Sequence, residues 1–449
     1  MKKLVVCIIM LFLLNTAHAA LQLELTQGVD AAMPIAVVSF SGVSNAPVDI
    51  SQVIKQDLQN SGRFRTLDIH LLSKLPHTAS EVDKLFWRQQ GVNDVVVGSL
   101  QALPDGQYKV SYALVNLYAS RLSLGTNPQV AARAGIVAQQ SFTIKAARLR
   151  GLAHFIADRI YYKLTGQRGM FATKIAYVLI TQATDRVKQY QLQLADYDGH
   201  NPQTVLRSSQ PIMSPTWSPN GKQIAYVTFY QGRSAIYINT LATGERQLVS
   251  RGFGINGAPA WSPDGRSMAM VLSKDGSPNI YIKNLQTGKL RRITHGWSIN
   301  TEPAWSPNGQ ELLFTSDRGG SPQIYQTHLS NNETRRLTYD GSYNARASYT
   351  PNAKNIVMLH KDKAKPYGVA IENLQTDTLQ VLVQSQYIQS PSVAPNGSMI
   401  VYSTRADAGN GKFVLAMVSA DGKVQLTLPA PDGSVREPAW SPYFKKVGD

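Results

Sequence analysis

A short motif repeats along the last half of the sequence at an almost constant interval. Its anchor position recurs after 44 residues in four successive steps, and a sixth copy follows after 47 residues. The six anchors are Trp217, Trp261, Trp305, Tyr349, Val393 and Trp440. A period in the forties is typical of a β-propeller, in which each repeat forms one four-stranded blade.

The interval between two anchors contains the strands that such a blade requires. The first anchor is followed by an apolar stretch, residues 223–229, and then by an alternating stretch, residues 236–239. Thr243 and Gly244 form a turn signal before a last short strand. Within the Trp-Ser-Pro-Asp-Gly and Trp-Ser-Pro-Asn-Gly segments, Pro, then Asp or Asn, then Gly favour successive positions of a type I turn, and the Trp packs between blades. The motif is therefore interpreted as structural, not catalytic.

The position of the last repeat predicts how the ring closes. Residues 437–442 begin a repeat at the end of the chain, whereas residues 173–180 resemble a strand that elsewhere follows an anchor but have none before them. If the terminal strand completes the blade that begins at Thr173, both ends of the propeller lie in one sheet. We therefore predict a six-bladed β-propeller over residues 173–449, closed by the C-terminal strand.

Residues 34–166 lack the repeat and have the pattern of an α/β domain. Residues 34–40 are a buried-strand candidate, and Asp49 is placed to cap a helix that carries an apolar face. Ser80 begins a second helix with a capping-box-like segment. Two strands flank a turn at residues 104–106, and a last apolar helical stripe stops at Gly166. A linker over residues 167–172 then leads to the propeller.

The first 19 residues have the pattern of a secretory signal peptide. Lys2 and Lys3 precede an apolar run over residues 4–14, and Ala17 and Ala19 flank the expected cleavage site. This predicts cleavage after Ala19, export to the periplasm and no transmembrane span. Because Cys7 is the only cysteine, we expect the mature protein to contain no disulfide.

The composition excludes some partners. The chain carries 45 Lys and Arg against 29 Asp and Glu, a net charge of +16. A basic surface attracts polyanions, but the sequence contains no helix-turn-helix, RRM or zinc-finger pattern. We therefore expect no nucleic-acid partner, and lipid head groups or envelope polymers are the polyanions that an exported protein meets.

Residues 20–33 form an N-terminal tail with two possible roles. Leu21, Leu23 and Leu25 alternate with polar residues, which favours a strand whose partner the sequence does not identify. The strand either docks on its own protein or is offered to another protein for strand addition.

Motifs for catalysis are absent from the sequence. There is no Gly-x-Ser-x-Gly elbow, no His-Glu-x-x-His pair and no complete phosphate-binding loop. We therefore predict no catalytic, cofactor-binding or metal-binding residues. The alternative is a propeller hydrolase that acts on cell-envelope material.

The register of the repeat predicts a binding surface. The residue before each Pro-x-Trp core occupies the same place in every blade, and these residues differ in charge and size. They are expected to form a ring at one face, around the central channel. The ring consists of Ser214, Ala258, Glu302, Arg346, Ser390 and Glu437. Variation on a fixed scaffold is what a specific recognition surface shows.

Over almost the whole mature chain, the sequence resembles the TolB family, the periplasmic propeller proteins of the Tol-Pal cell-envelope system. The segments that carry the resemblance are residues 28–30, 34–40, 94–98, 163–166, 173–178, 258–265, 300–307 and 438–443. It implies a monomeric, non-enzymatic connector that supports outer-membrane integrity and envelope constriction during cell division.

The resemblance also implies two partner sites. The propeller face would bind the peptidoglycan-associated lipoprotein Pal through Ile255, Asn256, Gly257, Ala258, Asn300, Thr301 and Glu302. The tail would bind the C-terminal domain of TolA through Ala20, Leu21, Leu23, Leu25, Gly28, Val29, Asp30 and Met33. The chain departs from the best-known members of the family at Ile255, where they have histidine.

Overall fold

The computed structural model describes residues 22–25, 32–42, 46–70, 72, 75–119, 135–184, 187–406, 411–429 and 431–444. These residues form an α/β domain followed by a six-bladed β-propeller, which confirms the predicted fold class. The expected signal peptide lies outside the described residues, as do Ala20, Leu21, Gly28, Val29 and Asp30 of the tail. Within the described ranges, no helix is both long and apolar enough to cross a lipid bilayer.

The α/β domain has one mixed sheet with helices on both faces. After β1 (Gln22–Leu25), which belongs to the propeller, its elements are β2 (Met33–Val37), β3 (Ser41–Gly42), α1 (Ile50–Asn60), β4 (Phe64–Thr66), α2 (Lys84–Gln89), β5 (Asp94–Ala102), β6 (Gln107–Asn116), β7 (Ile136–Lys145) and α3 (Leu149–Thr165). The strand order is β4-β2-β5-β6-β7, with β3 also paired to β5. Strand β2 is parallel to β4 and β5, and the remaining neighbours along that path are antiparallel.

Alternation along β5 separates the two cores of this domain. Val96 packs with the apolar faces of α1 and α3, whereas Val95 and Val97 pack against Trp87 of α2 on the opposite face. Successive side chains of a strand point to opposite faces, so a single apolar run supplies both layers.

The helix ends follow the sequence signals with one difference. The Asp49 carboxylate caps α1, as predicted, and Gly166 ends α3 in the left-handed conformation with φ 73°. The prediction that Ser80 begins the second helix is wrong, because residues 79–81 form a separate 3-10 turn. Helix α2 instead begins after Asp83, whose carboxylate accepts hydrogen bonds from two amides of the first turn.

Each blade contains four antiparallel strands, and the fourth strand of blade 1 comes from the C-terminal end of the chain. In chain order they are β8 (Lys174–Thr184), β9 (Val187–Asp196) and β10 (Gln203–Ser208) in blade 1; β11 (Ile212–Trp217), β12 (Gln223–Tyr230), β13 (Arg233–Thr240) and β14 (Arg246–Arg251) in blade 2; β15 (Asn256–Trp261), β16 (Ser267–Leu272), β17 (Asn279–Asn284) and β18 (Leu290–Arg292) in blade 3; β19 (Asn300–Trp305), β20 (Glu311–Ser316), β21 (Gln323–His328) and β22 (Thr334–Arg336) in blade 4; β23 (Tyr343–Tyr349), β24 (Asn355–Lys361), β25 (Tyr367–Asn373) and β26 (Thr378–Ser385) in blade 5; and β27 (Gln389–Val393), β28 (Met399–Arg405), β29 (Phe413–Ser419) and β30 (Val424–Thr427) in blade 6.

The C-terminal strand closes the ring as predicted. Strand β31 (Ser434–Trp440) pairs antiparallel with β8 and becomes the innermost strand of blade 1. The amide of Ser441 donates to the Lys174 carbonyl at 2.8 Å, and the Lys174 amide donates to the Ser441 hydroxyl at 2.9 Å. The Trp440 indole donates to the Thr173 hydroxyl at 2.8 Å. The two ends of the propeller are thus held in one sheet.

The repeated motif has the structural role that the sequence indicates. The Trp217 indole donates to the Ala439 carbonyl, and the Trp305 indole donates to the Ala260 carbonyl, each at 3.0 Å. In both cases the bond joins the inner strands of neighbouring blades. Trp217 and Trp305 therefore link neighbouring blades, whereas the Trp261 indole has no hydrogen-bond partner among the described residues.

The described part of the tail docks on the propeller. Strand β1 pairs antiparallel with β30, with Gln22 opposite Thr427 and Leu25 opposite Val424, and becomes a fifth strand at the outer edge of blade 6. Met33 lies in β2, inside the sheet of the α/β domain. The sequence left open whether the tail strand docks on its own protein or is offered to another protein. In the structure, the strand is docked on its own protein.

The α/β domain and the propeller share one continuous hydrophobic core. Tyr161 of α3 and Phe171 of the connection pack in the same cluster as Met399, Leu415 and Trp440 of the propeller. The two rings of Tyr161 and Phe171 meet edge to face at 5.6 Å. The domain junction is therefore a packed interface.

Candidate functional site

A bulge interrupts the innermost strand of every blade at the same place. The pairing register shifts there in all six blades, and the residue at each shift is one of the six predicted ring residues. All six have left-handed backbone, with φ between 44° and 56°. Because this conformation costs an L-residue about 1–2 kcal/mol, its recurrence marks a built feature of the channel.

The ring residues line one cavity on the propeller axis. Its volume is about 400 Å³, and all six of the ring residues, with the prolines that follow five of them, form its wall. The structure therefore brings together the residues that the repeat register selected. They lie within the channel, below the face on which the inner strands begin.

Arg346, in blade 5, contacts residues of three other blades across this channel. Its guanidinium lies 3.0 Å from a carboxylate oxygen of Glu302 and 3.0 Å from one of Glu437, and it also bonds the Ser390 hydroxyl. The Arg346 amide donates to the Glu302 carboxylate at 2.9 Å. Burial lowers the pKa of Arg346, but the Glu437 and Glu302 carboxylates outweigh burial and hold that pKa above its ordinary value. The arginine therefore stays charged and fixes both carboxylates.

Five large apolar side chains are exposed on the loops that lead into the inner strands of blades 3, 4 and 5. We call this set the crown, and it consists of Phe253, Ile255, Trp297, Ile299 and Tyr339. Trp297 is 91% exposed, Phe253 75% and Tyr339 73%. Phe253 and Trp297 are 44 residues apart, as are Ile255 and Ile299, so they occupy equivalent places on neighbouring blades. Clustered exposed apolar groups of this kind mark interaction sites.

Buried asparagines hold the crown loops in place. Asn256 and Asn300 begin the inner strands β15 and β19, Asn344 is the second residue of β23, and all three side chains are buried. The Asn256 amide donates to carbonyls within residues 252–254, and the Asn300 amide donates to the Ser298 carbonyl at 3.0 Å. Asn344 likewise donates to the Asp340 carbonyl at 2.7 Å. Each asparagine thus satisfies the backbone of the loop that carries the crown.

The residues that the resemblance implied for Pal therefore divide into two groups. Ile255 is exposed, and Gly257, Ala258, Thr301 and Glu302 are half-buried at the channel mouth. The side chains of Asn256 and Asn300 are consumed by internal hydrogen bonds, so they support the surface instead of forming it. Sequence reasoning missed Phe253, Trp297 and Tyr339, although the 44-residue spacing of the first two was a usable signal.

Crown and α/β domain lie on opposite faces of the propeller. The crown loops precede the inner strands, whereas the α/β domain contacts turns that follow them. The Asn396 side chain, after β27, donates to the Arg168 carbonyl at 3.1 Å, and the Arg168 guanidinium lies 3.7 Å from the centre of the Tyr443 ring. Since the inner strands cross from one face to the other, these contacts of the described residues lie on the face opposite the crown.

Comparison with known proteins gives a consistent result over both domains. The model of the TolB beta propeller domain matches residues 161–444, and the model of the TolB amino-terminal domain matches residues 21–122. The chain is 59% identical to the Tol-Pal system protein TolB of Coxiella burnetii over 441 residues, 97% of each chain. It is 58% identical to the protein of that name from Sodalis glossinidius over 433 residues, 96% of each chain.

A solved structure agrees with the fold as well. The crystal structure of TolB from Acinetobacter baumannii superposes with a TM-score of 0.82 at 38% sequence identity. The superposition covers 94% of this chain and 100% of that one.

Proposed function

The chain belongs to the TolB family, and on this premise we propose that it connects two partners in the Tol-Pal system without catalysing a reaction. Pal would bind the crown and the channel mouth, and TolA would bind the N-terminal tail. The predicted signal peptide, with cleavage after Ala19, supports the periplasmic location that both partners require.

The exposed crown is the observation that carries the Pal site. Five large apolar side chains stand on one face, and the buried asparagines beneath them keep their loops in one conformation. Binding to preformed loops loses little conformational entropy, and buried aromatic anchors supply most of the energy in many interfaces. The half-buried Thr301 offers a polar contact next to the apolar rim, and the Glu302 carboxylate beneath it is held by Arg346 and Thr315.

The β1 pairing supports a role for the tail. Four residue pairs hold β1 on the exposed edge of β30, and a strand this short is released at low cost. Once released, residues 20–31 could add as a strand to another protein, and the resemblance assigns that partner as TolA.

The two sites are then linked through the states of the tail. A docked tail adds a strand to blade 6, and a released tail leaves the β30 edge free. If Pal has different affinities for these two states, TolA binding shifts Pal occupancy by the same free energy with which Pal shifts TolA binding.

Truncation of the crown tests the Pal site. We expect Trp297→Ala and Phe253→Ala each to weaken binding of purified Pal by about 10- to 100-fold, because each removes an exposed aromatic anchor. Isothermal calorimetry measures the affinity. Tyr162→Ala is the matched control, because Tyr162 is a half-exposed aromatic on α3 of the other domain. Equal affinities for the crown variants and the wild type would remove the crown from the site.

A further inference from the structure

A buried histidine lies where the α/β domain meets blade 1. His154 of α3 is 2% exposed, and its Nδ1 is 2.7 Å from Oδ2 of Asp57, which lies on α1 and is 1% exposed. The hydroxyl of Tyr197, in the turn after β9, donates to the other Asp57 oxygen at 2.7 Å. The Asp57–His154 pair is therefore bonded directly to the propeller.

A second carboxylate faces the histidine from the propeller side. Nε2 of His154 lies 3.9 Å from Oδ2 of Asp198 and has no hydrogen-bond partner among the described residues. The Arg150 guanidinium bonds the same Asp198 oxygen. This arrangement disfavours a metal ion between the two residues, because the arginine already supplies the positive charge at that oxygen.

The remaining charged groups around the histidine come from four segments. Asp158 of α3 accepts hydrogen bonds from the amides of Phe171 and Ala172 in the connection between the domains. The turn after β9 contributes His200, whose Nδ1 is 3.3 Å from Asp198, and β9 ends on Asp196. Asp196 pairs with Lys174 of β8 at 2.9 Å.

We propose that this junction is proton-linked: packing of the α/β domain on blade 1 retains a proton on the Asp57–His154 pair, so that the two domains hold together more firmly in mildly acidic than in mildly alkaline medium. The geometry favours a proton there. Asp57 is 1% exposed, and its side-chain partners are the His154 ring and the Tyr197 hydroxyl. With a neutral imidazole, the Asp57 charge would have no cation bonded to it among the described residues, which is strongly unfavourable for a buried charge.

The direction of the titrations agrees with this geometry. Burial lowers the pKa of His154, but the Asp57 and Asp198 carboxylates outweigh it and raise that pKa above 6.5. Burial raises the pKa of Asp57, and it raises the pKa of Asp158 to about 6. The carboxyl of Asp198 titrates below its ordinary range, so it stays ionised throughout.

The sign of the linkage follows from the raised values. A group whose pKa is higher in the folded protein contributes stability below its unfolded pKa, and that stability is lost as the pH rises through its folded pKa. His154, Asp57 and Asp158 all have raised pKa values, so they all favour the packed junction at lower pH. The histidine sets the upper end of the window, above about pH 6.5.

Two measurements on the full chain test the proposal. In NMR titration we expect the His154 ring to titrate above 6.5. We also expect exchange protection of the amides at residues 171–172 and 197–200, corrected for intrinsic exchange, to fall between about pH 6 and about pH 9. The expected fall is about tenfold for each unit by which the pKa is raised.

Variants separate the proton link from ordinary packing. His154→Gln keeps a donor for Asp57 but cannot titrate, so we expect it to flatten the pH dependence of protection. His360→Gln is the matched control, because His360 is equally buried in blade 5 and burial lowers its pKa; it should leave the dependence unchanged. If His154→Gln fails to fold, the wild-type titration still decides the question. A His154 pKa below 6.5, or an unchanged slope in His154→Gln, would overturn the proposal.

Discussion

At the scale of single residues, the channel shows how one position can carry different chemistry in each blade. The bulge repeats six times with the same left-handed backbone, yet the side chains are two serines, an alanine, two glutamates and an arginine. Arg346 couples the two glutamates, which lie in different blades and would otherwise repel each other within one cavity. The backbone geometry is therefore the same at this position in all six blades, whereas the chemistry of the side chain varies among the blades.

Removing that arginine has a measurable consequence. We expect Arg346→Gln to lower the free energy of unfolding by about 1–2 kcal/mol, between the values typical of exposed and buried pairs, since the pair is about one-quarter exposed. Chemical denaturation measures the change. The double variant Arg346→Gln/Glu437→Gln should recover part of the loss, because it removes one of the two carboxylates left without a partner.

A surface ion pair provides the control for this variant. Lys365 pairs with Asp362 at 2.9 Å but is well exposed, so Lys365→Gln should change stability by less than about 0.5 kcal/mol. If Arg346→Gln has no larger effect than Lys365→Gln, the channel network does not stabilise the ring.

At the scale of secondary-structure elements, β1 is an addition to a complete blade. Blade 6 already has four strands, as the other five do, and β1 covers the outer edge of β30. Unpaired strand edges attract other strands. The docked tail therefore covers one edge of the propeller.

Deletion of the tail should leave the fold intact. We expect removal of residues 20–31, which spares β2, to change the free energy of unfolding by less than about 1 kcal/mol and to abolish capture of TolA from envelope extracts. Pull-down and denaturation measure the two effects. A chain with residues 20–31 scrambled should behave like the deletion, and capture of TolA by either variant would contradict the tail as its site.

The sequence predicted most elements but not all of their roles. The 44-residue period identified the blades and the closing strand because each blade repeats the same turn and anchor, and Asp49 and Gly166 marked helix ends. The start of α2 was misplaced because Ser80 and Asp83 are both plausible caps. The docking partner of β1 and the His154 cluster were not predictable, since these contacts join residues about 100 to 400 positions apart and no local pattern encodes them.

At the scale of the whole molecule, closure of the ring depends on a strand contributed from the far end of the chain. Strand β31 is the innermost strand of blade 1, pairs with β8 and packs Trp440 in the core that the two domains share. A propeller buries each blade against its neighbours. Loss of one inner strand therefore exposes two blade faces and the domain junction together.

Truncation tests this dependence. Because the total stability of a folded domain is only about 5–15 kcal/mol, we expect removal of residues 434–449 to abolish the cooperative thermal transition, as measured by calorimetry and circular dichroism. The tail deletion is the comparison, since it also removes one strand from a blade but takes it from the outside. A truncated chain that melts cooperatively near the wild-type temperature would show that the ring does not need its terminal strand.

The edge position of β1 has a mechanical consequence. Its hydrogen bonds to β30 form a single row. A force on the N-terminal end, directed away from blade 6, would therefore break them one after another. Tearing out β31 would instead require its pairing with β8 and its place in the core to fail together. A force applied through the N-terminal end would therefore detach β1 while the propeller stayed folded. Once the force was removed, β1 would pair with β30 again.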